Sequence, residues 1–331
     1  MRKDWKRCAG TFLSCLLCTA MLAGCAGSCK PGNGGTSTET SAQTDKAHTT
    51  NTTGTSDTDR SGSETQTGSG VQENSKWKPG DAYVLSEEGP DNADGTYVFR
   101  KGVVHGGIRI IYAGKGENAN KTVVIDAGHQ KQAMSATEPN APGSNVMKAK
   151  VTAGTTGSFT HIPEHELNLA VALLLRDVLV ERGYRVVMLR ETADVGISNR
   201  ERAELANQTV GQTDGILVRI HANGSDDSAV AGALTICQTA ANPTAKCYRE
   251  SRALSEAVLD AYCEKTQMKK RSIWETDTMT GINWCTVPSV ILEMGFMTNK
   301  EEDETMATTA FRAAAAEGVA VGIDRYFAAE K

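Results

Sequence analysis

Three apolar runs in this sequence each stop at a polar side chain able to hold a metal or move a proton. Thr122-Val123-Val124-Ile125 leads through Asp126-Ala127-Gly128 to His129. Gly215-Ile216-Leu217-Val218-Arg219-Ile220 ends at His221, and Ser289-Val290-Ile291-Leu292 ends at Glu293. A fourth segment, Glu164-His165-Glu166, opens a stretch with helical periodicity. Short apolar runs rich in β-branched residues and bounded by turn residues read as buried strands. In open α/β sheets, ligands gather at the carboxyl ends of the strands. If these ends share one edge, two imidazoles and a carboxylate can converge. That is the ligand set of a catalytic zinc site, in which three protein ligands leave a fourth position for water. A further carboxylate beside that water would be its base. One histidine after one strand is more often structural than functional. Three such strand ends in one chain are much harder to ascribe to chance.

The elements that must position these residues follow from periodicity. Over Glu164–Arg182, Leu167, Val171, Leu174, Leu175 and Val178 share one helical face, and Gly183 stops the run. Tyr184–Leu189 reads as a strand. Ser198–Gln208 reads as a helix, with Ser198 as N-cap and Glu201 three residues later forming a capping box. Ala233–Gln238 is a strand, Tyr248–Lys265 a helix, and Lys300–Ala328 a final Ala-rich helix. Between the first histidine and Glu164 lies a long irregular piece, Gln130–Pro163. The alternation predicts a three-layer α/β domain over 121–331, with a twisted, mostly parallel sheet of about six strands flanked by helices. A small β-rich lead-in precedes it over 77–120, with strands expected at Asp81–Ser86, Thr96–Phe99 and Gly107–Ala113. That length is too short for a robust core of its own, so these strands should lean on the domain that follows. Trp77 and Tyr97 could touch a sugar polymer or simply pack.

From residue 121 onward the chain resembles the zinc-dependent N-acetylmuramoyl-L-alanine amidases of bacterial cell walls, amidase type 3. Four pieces match in order: Val-Ile-Asp-Ala-Gly-His at 124–129, Glu-His-Glu-Leu-Asn-Leu-Ala at 164–170, Ile-His-Ala-Asn at 220–223, and Glu-Met-Gly-Phe-Met-Thr-Asn at 293–299. The Glu-Arg-Gly-Tyr-Arg-Val stretch within Leu179–Leu189 fits too. The resemblance implies one zinc ion held by His129, Glu164 and His221, with Glu293 as the catalytic carboxylate. It implies peptidoglycan, both glycan strand and stem peptide, as substrate. Two other readings remain beside it: a different zinc peptidoglycan peptidase of carboxypeptidase type, and a wall-binding protein without activity. His161, His165 and Glu166 compete with Glu164 for the third ligand position, and the spacing to Asn168 favours Glu164. Asp126, Arg219 and Asn223 are candidates for supporting the ligands or touching substrate. Asp126 could orient His129 or cap its turn. Arg219 could hold a substrate carboxylate or pair with a structural acid. The sequence departs from the family at Ala127 and Gln130-Lys131, at Arg219, and in the long gap between His129 and Glu164. That loop begins and ends at ligands, so it must border the metal; part of it, such as Met147–Gly157, could shape the substrate groove or cover the site, or the insertion could be merely decorative.

The amino-terminal region reads differently. Arg2, Lys3, Lys6 and Arg7 form a basic start, Cys8 to Gly24 carries no charge, and Leu22-Ala23-Gly24-Cys25 closes it. This resembles the bacterial lipobox and implies export, with Cys25 lipidated and the protein held on the outer face of a membrane, facing the wall. Residues 26–76 are Ser, Thr, Gly, Asn, Asp and Glu with little else, and read as a disordered tether. Net charge is −5 for the whole chain. That acidic balance argues against a nucleic-acid partner. The sequence names no protein activator. Of nine cysteines, Cys237, Cys247, Cys263 and Cys285 lie in the catalytic region. A Cys237–Cys285 bridge is the pairing that the strand positions suggest.

Overall fold

The computed structural model describes residues 82–84, 100–101, 109–112, 116–193, 195–210, 214–242 and 246–329. The export signal, the tether, Trp77, Tyr97 and the strand expected at Thr96–Phe99 lie outside the described residues.

In chain order the elements are β1 (Ala82–Val84), β2 (Arg100–Lys101), β3 (Arg109–Tyr112), β4 (Lys121–Ala127), β5 (Met134–Pro139), β6 (Met147–Val151), α1 (Glu164–Glu181) and β7 (Arg185–Met188). Then come α2 (Asn199–Val210), β8 (Asp214–Asn223), β9 (Ala233–Cys237), α3 (Tyr248–Thr266), β10 (Lys270–Glu275), α4 (Thr280–Asn283), β11 (Ser289–Phe296), α5 (Lys300–Met306) and α6 (Thr309–Ala329). The main sheet runs β10-β9-β11-β8-β4-β7-β3-β1-β2. Strands β11, β8, β4 and β7 are mutually parallel. β9 and β10 are parallel to each other and antiparallel to β11.

The six strands from β10 to β7 form the mostly parallel sheet expected from the alternation. The lead-in does lean on it: β3 pairs antiparallel with β7, setting Arg109 opposite Met188, and β1 and β2 extend that edge. The sheet is buried on both faces. Val123, Ile125, Ile216, Val218, Val290 and Leu292 point into a large core with α1, α3 and α6. Val124, Val187 and Leu217 point the other way, into a smaller core with Ala203, Leu205 and Ala206 of α2. The period-2 alternation of strands puts Asp126, Arg219, His221 and Glu293 on this second face, at the carboxyl ends of β4, β8 and β11. Ser198 and Glu201 form the expected capping box: the Ser198 N–H donates to Glu201 Oε2 and the Glu201 N–H to Ser198 Oγ.

Four expectations change. Gln130–Pro163 is not irregular throughout: β5 and β6 pair as an antiparallel hairpin. Its polar, partly exposed strands carry no clear hydrophobic alternation. The edge strand β10, not among the strands expected from the sequence, is also mostly exposed. The long C-terminal helix is two, because the Thr308 hydroxyl accepts from the Phe311 N–H and starts a new helix there. Finally, Cys237 and Cys285 are both free thiols. Cys285 packs in the α2-side core, whereas the Cys237 thiol meets Ser255 of α3, so the two belong to different layers.

Candidate metal centre

His129 follows β4 in the left-handed region, at φ 57°. Two buried arginines hold the turn that carries it. The Arg202 guanidinium pairs with Asp126 and donates to Ala127 O, His129 O and Gln130 Oε1. Arg190 donates to Ala127 O and Gly128 O. Glycine at 128 is required by close approach, because a methyl group there would overlap the His221 ring.

Glu164 is the first residue of α1 and reaches over the strand ends. One of its oxygens lies 3.3 Å from His129 Nε2 and the other 3.2 Å from His221 Nδ1. Ligating atoms of His129, Glu164 and His221 all fall within 4.8 Å of one another. Ligands about 2.1 Å from a tetrahedral ion stand about 3.4 Å apart, so the contacts to Glu164 have the spacing of a zinc shell. The tautomer of His129 agrees. Its Nδ1 lies 2.8 Å from the Thr152 carbonyl, which can only accept, so Nδ1 carries the proton and Nε2 offers its lone pair. Of the competing ligands, His165 and Glu166 do not join this group, and neither does His161.

Glu293 stands opposite His221 in the β8–β11 register. Its Oε2 is buried and has no hydrogen-bond partner among the described residues, and the same is true of His221 Nε2. Burial, reinforced by the charge of Glu164 and opposed by Arg219, pushes the Glu293 carboxyl up to about 8. Burial likewise pushes His221 down to about 4. Burial works against charge on Glu164, but the two imidazoles outweigh it and hold this carboxyl well below its usual range. The centre therefore crowds two carboxylates and two imidazoles together at one sheet edge, an arrangement that a dication would relieve.

The supporting residues differ in outcome. Asp126 does not touch His129: both its oxygens are taken by Arg202 and Arg219. The Thr152 carbonyl orients His129 instead. Arg219 pairs with Asp126 and donates to Asn199 Oδ1 at 2.7 Å, the structural alternative for this side chain. Asn223 Oδ1 accepts from the Gly224 N–H, shaping the turn after β8. The long loop does border the centre, through residues 152–155 rather than through the hairpin. The Thr155 N–H donates to Glu164 Oε2 at 2.9 Å. Gly154, at φ 82°, lies so close that a side chain would meet Glu164 and His129. The hairpin itself docks elsewhere, with Trp284 Nε1 donating to Pro139 O and Asn283 Nδ2 to Asn140 O. Thr152, Arg190 and Arg202 were not legible in advance, since their roles run through backbone carbonyls.

Comparison with known proteins agrees with this architecture. The model of the N-acetylmuramoyl-L-alanine amidase family matches residues 123–325. Over 207 residues the chain is 28% identical to the uncharacterized protein YqiI of Bacillus subtilis (strain 168), covering 62% of this chain and 85% of that one. The catalytic domain of CwlV, an N-acetylmuramoyl-L-alanine amidase from Bacillus (Paenibacillus) polymyxa var. colistinus, superposes with a TM-score of 0.50 at 28% identity, over 63% of this chain and 98% of CwlV. The amidase Ami1 of Mycobacterium abscessus shares the fold, with a TM-score of 0.56 at 23% identity, over 62% and 98% of the two chains. With the family model covering six of the sheet's nine strands and every residue of the cluster, this chain belongs to the N-acetylmuramoyl-L-alanine amidase family.

Proposed function

We propose that the protein is a zinc-dependent peptidoglycan amidase that cuts the bond between the lactyl group of N-acetylmuramic acid and L-alanine. The observation that carries this reading is the convergence of His129, Glu164 and His221 beside Glu293. His129, Glu164 and His221 would hold the metal. When bound, zinc supplies a water whose pKa is lowered towards about 7 and a positive charge against the amide oxygen.

Glu293 removes the proton from the attacking water, since its Oε2 has no partner among the described residues. The protonated carboxyl then gives that proton to the alanine nitrogen as the C–N bond breaks. His129 keeps its orientation through Thr152, and Glu164 through the Thr155 N–H and the Asn168 amide. Arg219 lies on the Glu293 face of the sheet but spends its hydrogen bonds on Asp126 and Asn199, so substrate binding is not assigned to it.

The same reading takes residues 1–25 as an export signal and Cys25 as a lipid attachment point, supported by the basic start and the Leu-Ala-Gly-Cys sequence. Labelling with a radioactive fatty acid that disappears in Cys25→Ser tests that part. The metal is tested by elemental analysis of the purified chain. About one zinc per chain is expected, lost in His129→Ala and His221→Ala. Zinc bound equally by both variants would overturn the ligand assignment.

A further inference from the structure

We propose that Arg190 is a positioning residue for the metal centre, its guanidinium setting the separation between His129 and Glu164 by binding the backbones that carry them. The inference rests on the zinc reading above.

Arg190 lies just beyond the carboxyl end of β7, beside the end of β4, and is fully buried. Its hydrogen bonds go to backbone carbonyls. Nε donates to Ala127 O at 2.7 Å and Nη1 to Thr192 O at 3.1 Å. Nη2 donates both to Gly128 O, at 2.9 Å, and to His165 O, at 2.8 Å. Gly128 immediately precedes His129, and His165 immediately follows Glu164. One nitrogen thus ties the turn bearing the first ligand to the helix start bearing the second. These segments are 35 residues apart in sequence, and the loop between them meets both ligands through residues 152–155 while its hairpin docks against Trp284.

A second tie runs in parallel. Asn168 Nδ2 donates to Gly128 O at 3.2 Å and to Glu164 Oε1 at 3.1 Å. Two donors from separate elements therefore converge on Gly128 O, and each also reaches the Glu164 segment. The chemistry explains why an arginine fills this position. A planar fork can address carbonyls in several directions at fixed distances, whereas a lysine ammonium is a single point of charge. A ligand pair must be held to a fraction of an ångström, and partners outside the metal shell supply that precision.

The test compares the full wild-type chain with Arg190→Lys and Asn168→Ala. Zinc affinity is read by competition with a chromophoric chelator, and folding of the zinc-free proteins by circular dichroism and thermal melting. Arg190→Lys is expected to weaken zinc binding by about 10–100-fold. KM should stay near the wild-type value while kcat falls in parallel with zinc occupancy. Excess zinc should restore much of kcat, which it would not do for a variant with a merely loosened core. Asn168→Ala should shift zinc affinity in the same direction by a smaller factor, and it carries the test if Arg190→Lys fails to fold. Wild-type zinc affinity in a folded Arg190→Lys, or in Asn168→Ala where the first variant does not fold, would overturn the proposal. A wild-type chain that binds no zinc would instead overturn the metal reading itself, and this inference with it.

Discussion

Glu293 and His221 are register partners on adjacent parallel strands, β11 and β8, so a carboxylate and an imidazole leave the same sheet edge side by side. Beyond Glu293 the β11 register shifts, and Glu302 of α5 accepts from the Phe296 N–H at 2.7 Å and from the Gly232 N–H at 2.6 Å. The strand end carrying the proposed base is thereby fixed from both sides. Replacing Glu293 by Gln keeps the volume and removes the base. Turnover should fall by about 10²–10⁴-fold or more, while zinc stays near one per chain. Loss of zinc in this variant would make Glu293 a ligand rather than a base.

Gly128→Ala should remove both zinc and activity, since the added methyl group overlaps the His221 ring. Gly196→Ala is the control, because nothing lies within 4 Å of a methyl group there. Elemental analysis and turnover of the two variants should diverge. Equal zinc content in both would refute the close contact.

Asp126 should govern acid stability. Burial works to raise its pKa, but the charges of Arg202 and Arg219 outweigh this and hold it well below the carboxylate range. A depressed folded-state pKa means stability that is present above the unfolded value, about 3.9, and is lost as pH falls through the folded one. Asp126→Asn should therefore cost about 3–5 kcal/mol near neutral pH, because it leaves two buried guanidinium groups uncompensated. Denaturant melts at pH 7 and pH 3 should show the difference between the two proteins shrinking in acid.

The hairpin should be separable from the chemistry. Trp284 donates to Pro139 O at 2.8 Å and stacks under Arg200, whose Cζ lies 4.2 Å from the ring centroid. Trp284→Leu should expose the turn at 141–146 to limited proteolysis several-fold faster. Zinc content should remain unchanged, since residues 152–155 are held by Glu164 and His129.

How far the sequence speaks depends on what each residue works through. His129, His221 and Glu293 were visible because each interrupts or ends an apolar strand, and burial makes a polar residue there conspicuous. Glu164 stood out from its neighbours only through spacing within a resemblance. Arg190 and Arg202 look like ordinary charged residues in the chain. Both bind carbonyls within residues 127–129, and carbonyls leave no mark in a sequence. Asp126 is a related case: it precedes His129 by three residues, yet strand alternation points it towards Arg219 and Arg202 on the same face. The hairpin was hidden because its strands are short and half-exposed. The division between α5 and α6 was hidden because Thr308 and its surroundings fit a continuous Ala-rich helix as well as they fit a cap.

The most direct measurement is mass spectrometry of soluble products after the protein is incubated with purified peptidoglycan, with a chelator, and with zinc restored. The account predicts intact stem peptides bearing a new L-alanine amino terminus, absent with chelator and recovered with zinc. Free amino acids released from the stem end, or product formation indifferent to the chelator, would contradict it.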